Sequence, residues 1–215
     1  REVFQVADRA LGAPLSTLCF EGPAEELTLT HNAQPALLAH GAAVWEAIRS
    51  QVGSRVRAAA GHSLGEFTAH HAARTFGLAE ALRLVRRRGE LMYETGVQRP
   101  GAMAAILGEL KEPIEALCRQ ASDTGLVVPA NYNDGMQVVV SGEVGGVERV
   151  MELAKAAGAK RAVRLNVSGA FHSPLMSPAI DGLRAALAET AMRDPHFPVW
   201  SNVTEQPVTT ARAAA

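Results

Sequence analysis

One glycine-rich stretch constrains the fold more than any other part of the chain. A short apolar run at 56–60 leads directly into the sequence Gly-His-Ser-Leu-Gly at 61–65, and a helical pattern follows. A strand that turns at once into a helix strains its central residue, so we expect Gly61 and Gly65 to let the turn close. G-x-S-x-G in this context is typical of a nucleophile elbow, although an incidental serine in a glycine-rich turn has the same letters. The pattern predicts that Ser63 is a nucleophile at a helix N-terminus, where backbone N–H groups can stabilise an oxyanion.

The bulk properties exclude several classes of protein. A length of 215 residues suits one domain, or one domain with a small insertion. The net charge of −1 argues against nucleic-acid binding, and no apolar run has the length of a membrane span or the shape of a signal peptide. Cys19 and Cys118 have neither metal nor disulfide spacing. We therefore expect a cytoplasmic protein with two buried, reduced cysteines.

Hydrophobic periodicity predicts alternating helices and short strands. The helical patterns are at 2–11, 35–51, 64–73, 78–93 and 178–190, with a helical turn at 23–27 and an irregular link at 14–20. Strands of a main sheet are expected at 56–60 and 196–202. This mixture indicates the α/β class.

The segment 102–165 has a different texture. Strand patterns at 102–107, 126–131, 137–141 and 161–165 alternate with helical patterns at 111–124 and 144–157. The order β-α-β-β-α-β is the ferredoxin-like split βαβ motif, and Asp134-Gly135 is a hairpin signal. We predict a ferredoxin-like subdomain at 102–165, inserted into an α/β core formed by 1–101 and 166–215.

A serine hydroxyl needs a base, and seven histidines are available. His62 adjoins Ser63, but its side chain should point away at so sharp a turn and shape the elbow instead. His70 and His71 lie further along the next helix and are expected to be surface or packing residues. His172 follows a strand of the core in a glycine- and proline-marked loop, where α/β folds place ligand chemistry. His172 is therefore the candidate base.

Four arginines, Arg83, Arg86, Arg87 and Arg88, share one helix after the elbow. A solvated helix face is the ordinary interpretation of such positions. Their closeness to a nucleophile elbow also indicates an anionic substrate or partner.

Three motifs carry a family resemblance: Gly-His-Ser-Leu-Gly-Glu-Phe at 61–67, Arg-Arg-Gly-Glu-Leu-Met at 87–92 and Ala-Phe-His-Ser-Pro-Leu-Met at 170–176. They resemble malonyl-CoA:acyl carrier protein transacylases of fatty-acid synthesis and the related acyltransferase domains of polyketide synthases. Weaker motifs fit in the same order: Gly-Pro-Ala-Glu-Glu-Leu at 22–27, Ala-Gln-Pro-Ala at 33–36, Gly-Ala-Met-Ala-Ala-Ile at 101–106 and Asn-Val-Thr at 202–204. The resemblance covers essentially the whole chain and implies a parallel-sheet, hydrolase-like large subdomain.

The resemblance also implies roles for individual residues. Ser63 would be acylated, His172 would act as base and then as acid, and Arg88 would bind the free malonyl carboxylate bidentately. The backbone N–H of Leu64 would form half of the oxyanion hole, and Phe171 fits the malonyl-type pattern at the residue before the base. The remaining expected substrate-site residues are His62, Asn131 and Asn133.

The implied reaction is a ping-pong transfer of malonyl from malonyl-CoA to the phosphopantetheine thiol of an acyl carrier protein. It implies no metal or redox cofactor, no nucleic acid and no membrane, and we expect a monomer. Because carrier proteins are acidic, six basic positions are candidate docking contacts: Arg83, Arg86, Arg87, Lys155, Lys160 and Arg161.

The family pattern also has parts that this sequence lacks. Its opening strand and Gly-Gln-Gly-Ser-Gln loop, which supplies the other oxyanion N–H, and its closing segment are not found between Arg1 and Ala215. We therefore expect a truncated chain of reduced activity. Three alternatives stay open: a polyketide-type acyltransferase, a serine hydrolase or thioesterase that shares the elbow, and an inactive fragment that binds acyl-CoA or a carrier protein.

Overall fold

The computed structural model of the protein describes residues 1–214. Within this range, six α-helices precede the first strand, and strands are interspersed with helices from residue 102 onward, which gives a mixed α/β chain. The α-helices are α1 (Glu2–Leu11), α2 (Leu15–Glu21), α3 (Ala24–Thr28), α4 (Thr30–Val52), α5 (Gly65–Ala72), α6 (Leu78–Gln98), α7 (Ile114–Gln120), α8 (Val144–Ala156), α9 (Ala179–Glu189) and α10 (Ala211–Ala214). The strands are β1 (Ala102–Leu107), β2 (Val127–Asp134), β3 (Gln137–Gly142), β4 (Arg161–Arg164), β5 (Val199–Trp200) and β6 (Pro207–Val208).

The chain divides into two compact units. The first comprises residues 1–90 and those from Asp181 onward, and the second comprises Leu91–Ile180. The boundaries of the inserted subdomain at 102 and 165 stay a prediction.

The second unit contains a four-stranded sheet in the order β2-β3-β1-β4, with every neighbouring pair antiparallel. Helices α7 and α8 pack on it around a core that includes Ile106, Leu117, Val140, Val147 and Val150. This arrangement confirms the ferredoxin-like prediction. Helix α7 begins at Ile114, later than the predicted 111, because a residue before proline is disfavoured in the helical region and Pro113 stands at the N-cap. It ends at Gln120, before the predicted 124.

The first unit is mainly helical. Its core joins Ala7 of α1, Leu38 and Ala42 of α4, and Leu82 and Val85 of α6, all of them fully buried. The periodic apolar positions that predicted these helices therefore form their packed faces.

Helix α4 begins at Thr30, before the predicted start at Pro35. A proline inside a helix leaves the carbonyl four residues earlier without its usual donor, here the carbonyl of His31. Arg86 of α6 supplies the missing donor, since its Nη1 lies 2.7 Å from the His31 carbonyl oxygen. A hydrogen bond from another helix thus allows α4 to remain helical on both sides of Pro35.

The link predicted at 14–20 is helical, which corrects the sequence interpretation. Helix α2 begins after Pro14, and Asp8 of the preceding helix caps it. The carboxylate of Asp8 accepts hydrogen bonds from the backbone N–H and the hydroxyl of Ser16, at 2.8 and 2.6 Å. A cap that comes from another helix leaves no local signal at the N-cap itself.

The main-sheet pairing of the first unit is short. Ala59 forms a parallel bridge with Val199, where the Ala59 N–H donates to Pro198 and the Trp200 N–H donates to Ala59, both at 2.9 Å. Strands β5 and β6 pair antiparallel next to it. The strands predicted at 56–60 and 196–202 are thus reduced to this bridge and to β5, partly because Pro198 has no N–H to donate.

Candidate active site

The elbow has the geometry that its sequence predicts. Ser63 has φ of 51°, a left-handed conformation that is strained for a residue with a side chain. Gly61 is required sterically, because a Cβ there would overlap the backbone of Gly65. Gly65 has open space where its own Cβ would be, so only one of the two glycines is needed for side-chain clearance.

Leu64 occupies the N-cap position of α5, directly after Ser63. The following amides are engaged in the turn: the Gly65 N–H donates to His62 at 2.8 Å and the Glu66 N–H donates to Ser63 at 3.2 Å. The side chain of Leu64 is buried, which fixes the start of the helix. The backbone of Leu64 is therefore placed at the positive end of the α5 dipole.

Arg88 reaches the elbow from α6. Its Nη2 donates to the Ser63 Oγ at 3.2 Å, and its guanidinium lies over the Phe67 ring, 5.6 Å from the ring centre. Burial lowers the pKa of Arg88 from its usual value, and the carboxylate of Glu66 acts in the opposite direction. A guanidinium has so high a pKa that Arg88 stays charged. The structure thus brings the predicted nucleophile and the predicted carboxylate-binding cation together.

Gln34 holds the other side of the guanidinium. Its Oε1 accepts from Arg88 Nη1 at 2.6 Å, and its Nε2 donates to Thr30 Oγ1 at 2.9 Å. Gln34 and Thr30 are both buried. This support was missed at the sequence level, although Gln34 belongs to the Ala-Gln-Pro-Ala motif at 33–36.

A second missed group contacts the elbow from the far end of the chain. Asn202 Nδ2 donates to the Gly61 carbonyl at 2.7 Å, and Asn202 Oδ1 accepts from the Ser63 N–H at 3.4 Å. The Glu66 carboxylate in turn accepts from the backbone and the side chain of Asn202. The sequence did contain one indication of this contact, because Glu66 and Asn202 both lie in motifs that carry the family resemblance, at 61–67 and 202–204.

The loop of the candidate base belongs to the second unit. His172 has φ of 58°, so it is also held in the left-handed region. The buried Ser173 closes the loop, since its hydroxyl donates to the Ala170 carbonyl at 2.7 Å and accepts from the Leu175 N–H at 3.3 Å. The ring of Phe171 packs against a small apolar cluster of the ferredoxin-like sheet.

The remaining predicted site residues are distributed over both units. His62 lies in the elbow and is exposed. Asn131 and Asn133 lie within β2, which runs to Asp134 and so extends three residues beyond the predicted strand end at 131. The ladder between β2 and β3 is irregular around Asn133. The contacts of both asparagines with a substrate stay a prediction.

The arginines of α6 have different surroundings. Arg83 and Arg87 form exposed ion pairs with Glu80 and Glu90, at 3.8 and 3.5 Å. Arg86 uses its Nη1 for the His31 carbonyl and for Asn32 Oδ1, both at 2.7 Å. Arg86 thus has a structural task within the first unit, which weakens it as a docking contact.

The described residues contain no group of three or more His, Cys, Asp or Glu side chains that could hold a metal ion. None of the helices within 1–214 is both long and apolar enough to cross a membrane.

Comparison with known proteins identifies the class. The acyl transferase domain family matches residues 2–215, which is nearly the whole chain. An elbow serine beside a partly buried arginine, together with this match, shows that the chain belongs to the acyl transferase domain family.

Individual relatives narrow the class. The chain is 46% identical over 210 residues to the malonyl CoA-acyl carrier protein transacylase of Bacillus subtilis, covering 97% of this chain and 66% of the relative. It is also similar to the crystal structure of the acyl-carrier-protein-S-malonyltransferase from Bartonella henselae, with a TM-score of 0.93, 42% identity, and coverage of 100% of this chain and 69% of the other. A solved complex of a type II PKS acyl-carrier protein with its malonyl-transacylase has a TM-score of 0.93 at 40% identity, covering 99% and 69% of the two chains.

These comparisons confirm the resemblance and the predicted fold class, an α/β hydrolase-like large subdomain with a ferredoxin-like small one. The chain spans just under two thirds of the length of the Bacillus subtilis relative.

Proposed function

We propose that the protein transfers a malonyl group from malonyl-CoA to the phosphopantetheine thiol of an acyl carrier protein, through an acyl-enzyme on Ser63. The observation that carries this proposal is the hydrogen bond from Arg88 Nη2 to Ser63 Oγ at 3.2 Å. The similarity to malonyl transacylases supports it independently.

The position of Arg88 suits a dicarboxylic acyl group. In malonyl, the free carboxylate is joined by one methylene to the carbonyl carbon that Ser63 would attack. A guanidinium within hydrogen-bond distance of the nucleophile can therefore bind that carboxylate while the reaction proceeds. Gln34 keeps the planar group oriented through Nη1, which leaves Nη2 directed at the site.

The first half-reaction forms the acyl-enzyme. Ser63 Oγ attacks the thioester carbonyl, His172 accepts the hydroxyl proton, and the tetrahedral intermediate expels the CoA thiolate, which takes that proton from His172. The N–H of Leu64 would stabilise the oxyanion at the N-terminus of α5. The role of His172 is supported by its motif and by the hydrogen bonds of Ser173, which stabilise the loop that carries His172.

The second half-reaction reverses these roles. The phosphopantetheine thiol gives its proton to His172 and attacks the Ser63 ester, and the serine oxygen leaves with the proton from His172. Each step balances with no oxidant, reductant or metal. The proposed chemistry is therefore complete with the two substrates alone.

Intact-protein mass spectrometry after brief exposure to malonyl-CoA or acetyl-CoA tests the proposal, with Ser63→Ala as the control. We expect a malonyl-sized adduct that requires Ser63 and that acetyl-CoA does not match. No adduct on the folded protein would remove the transferase proposal and leave a binding role. An equal acetyl adduct would keep Ser63 and refute Arg88 as the selector.

We further propose that the transfer supplies fatty-acid elongation, in a monomeric cytoplasmic protein. A polyketide carrier is the second candidate, because one of the similar solved complexes contains a type II PKS acyl-carrier protein. Comparing transfer rates to a fatty-acid carrier and a polyketide carrier, each loaded with phosphopantetheine, would separate the two.

A further inference from the structure

We propose that Asn202 and Glu66 are positioning residues that hold the Ser63 elbow in its reactive shape. The inference rests on the proposed role of Ser63 as the nucleophile. The clamp, as we name the pair Asn202 and Glu66, lies entirely within the first unit.

The side chain of Asn202 bridges the two sides of the elbow turn. Its Nδ2 donates to the carbonyl of Gly61 at 2.7 Å, and its Oδ1 accepts a long hydrogen bond of 3.4 Å from the N–H of Ser63. One amide group thus fixes the backbone on entry to the turn and at the nucleophile itself. A residue held at a positive φ persists only when its surroundings determine it in this way.

The chemistry of the partners defines the orientation of the amide. A carbonyl and a carboxylate can only accept, so Nδ2 must face Gly61 and Glu66, and an N–H can only donate, so Oδ1 must face Ser63. Both N–H groups and the oxygen of Asn202 are therefore used. No other side chain of the same size offers two donors and an acceptor in this arrangement.

Glu66 holds Asn202 in turn. Its Oε2 accepts from the Asn202 backbone N–H at 3.0 Å and also from Asn202 Nδ2. Glu66 lies in the first turn of α5, where a carboxylate interacts favourably with the helix dipole. The helix that follows Ser63 is thereby tied to the same distant residue as the turn.

The chain around Asn202 is itself anchored to the strand before the elbow. Trp200 of β5 donates its N–H to Ala59 at 2.9 Å, two residues ahead of Gly61. Strand, turn and helix are thus all attached to one segment, 199–202. Such multiple attachment is what keeps a reacting atom placed to a fraction of an ångström.

Asn202→Ala removes the clamp, and Gln206→Ala is the matched control, since it truncates an exposed side chain in the same β5–β6 connection. Rapid-quench mass spectrometry would measure the acylation rate of Ser63 against malonyl-CoA concentration. For Asn202→Ala we expect the saturating rate to fall about 10- to 100-fold, as a displacement of roughly 1 Å would cause. The half-saturating concentration should not change, because the side-chain hydrogen bonds of Asn202 go to Gly61, Ser63 and Glu66 and not to Arg88, the proposed carboxylate anchor.

Asn202→Asp distinguishes positioning from space filling. An aspartate has the same shape, but it cannot donate to Gly61 and it brings a second carboxylate against Glu66. We expect its acylation rate to be as low as that of Asn202→Ala or lower. A wild-type acylation rate in Asn202→Asp would show that shape alone is sufficient and would overturn the proposal.

Glu66→Gln is the second variant and provides a test if Asn202→Ala does not fold. Its neutral oxygen still accepts both hydrogen bonds, so we expect a smaller loss of about three- to tenfold in the saturating rate. Because the Glu66 carboxylate also acts on Arg88, the half-saturating concentration is diagnostic only in Asn202→Ala. The clamp would be refuted if folded Glu66→Gln and Asn202→Ala both acylated Ser63 at the wild-type rate. It would also be refuted if Asn202→Ala changed only the half-saturating concentration of malonyl-CoA. An adduct on the wild type with unaffected variants removes only this inference, whereas no adduct on the wild type removes the proposed function and the inference together.

Discussion

The elbow and the His172 loop each contain a residue in the left-handed region, but different contacts stabilise the two loops. Each holds a proposed catalytic residue at a positive φ, 51° for Ser63 and 58° for His172. The elbow is stabilised from far away, since Asn202 lies 139 positions from Ser63 and Arg88 lies 25 positions from it. The His172 loop is stabilised by Ser173, whose partners are at most three positions away.

The two loops therefore differ in where their stabilising hydrogen bonds come from. Those of the elbow come from other elements of the fold, and those of Ser173 come from neighbouring residues in the same motif. The His172 loop contains the hydrogen bonds of Ser173 within 170–175, and its Phe171 also packs outside this stretch, on the ferredoxin-like sheet of the same unit. The elbow depends on α6 and on the segment after β5, and only the folded first unit brings these together. We therefore expect the elbow to be more sensitive to distant substitutions than the His172 loop.

The largest effect should come from the cation that reaches the elbow from α6. In Arg88→Ala, malonyl transfer to Ser63 loses a buried charge pair with the substrate, which costs about 2–5 kcal/mol of transition-state stabilisation. Acylation by acetyl-CoA has no such carboxylate and should change little. The ratio of the two acylation rates, measured by mass spectrometry, checks the expectation.

Arg88→Lys refines this prediction. It keeps the charge but loses the planar fork that bonds Ser63 and Gln34 at once, so the malonyl preference should lie between those of the wild type and Arg88→Ala. An unchanged malonyl-to-acetyl ratio in both variants would show that selection lies elsewhere.

The next effect concerns the turn itself, and the two glycines of the elbow form a matched pair. In Gly61→Ala the new Cβ would overlap the backbone of Gly65, so we expect about 1–3 kcal/mol less free energy of unfolding. Acylation should fall by about 10- to 100-fold as Ser63 moves. In Gly65→Ala the new Cβ meets open space, and the free energy of unfolding should stay equal or rise. Equal destabilisation in urea unfolding of the two variants would contradict the steric account.

These contacts show where the sequence was informative. The ferredoxin-like unit was predictable because every strand pairs within 102–164 and its signals are local: alternation, apolar runs and turn residues. Ser63, Arg88 and His172 could be proposed because short motifs contain them. The structure places Arg88 against Ser63, and the role of His172 stays a prediction. Helix α2, the passage of α4 through Pro35, and the role of Asn202 were not predicted. In each of these the deciding partner, Asp8, Arg86 or Glu66, lies on another element.

A smaller effect should follow from removing the hydroxyl of Ser173, which stabilises the His172 loop. Ser173→Ala removes the hydrogen bonds to Ala170 and Leu175, at a cost of about 1 kcal/mol, and we expect a tenfold or smaller loss in transfer rate, roughly that free energy. Ser177→Ala truncates an exposed serine at the end of the same turn and is the control. A loss for Ser173→Ala larger than that for Asn202→Ala would reverse the contrast between the two loops.

The smallest effect is a pH dependence confined to the first unit. His70 and His71 lie in α5, the helix that follows the elbow. Burial lowers the pKa of both histidines, and the carboxylate of Glu66 partly offsets this at His70. The unfolded chain then binds more protons than the folded one as pH falls below the ordinary histidine value of about 6.5, so the folded state loses stability towards acid and keeps it above that value.

Hydrogen exchange at about pH 5 and about pH 7.5, corrected for intrinsic rates, would measure this difference. We expect amides of α5 to lose protection in acid while those of β3 keep it, because the only histidine among residues 91–180 is His172. His70→Asn, whose amide can still bond Thr75, should reduce the acid sensitivity, and His40→Gln, at an exposed position of α4, should not. Equal acid loss in both variants would place the titrating group elsewhere, and equal loss in α5 and β3 would show that the two regions open together.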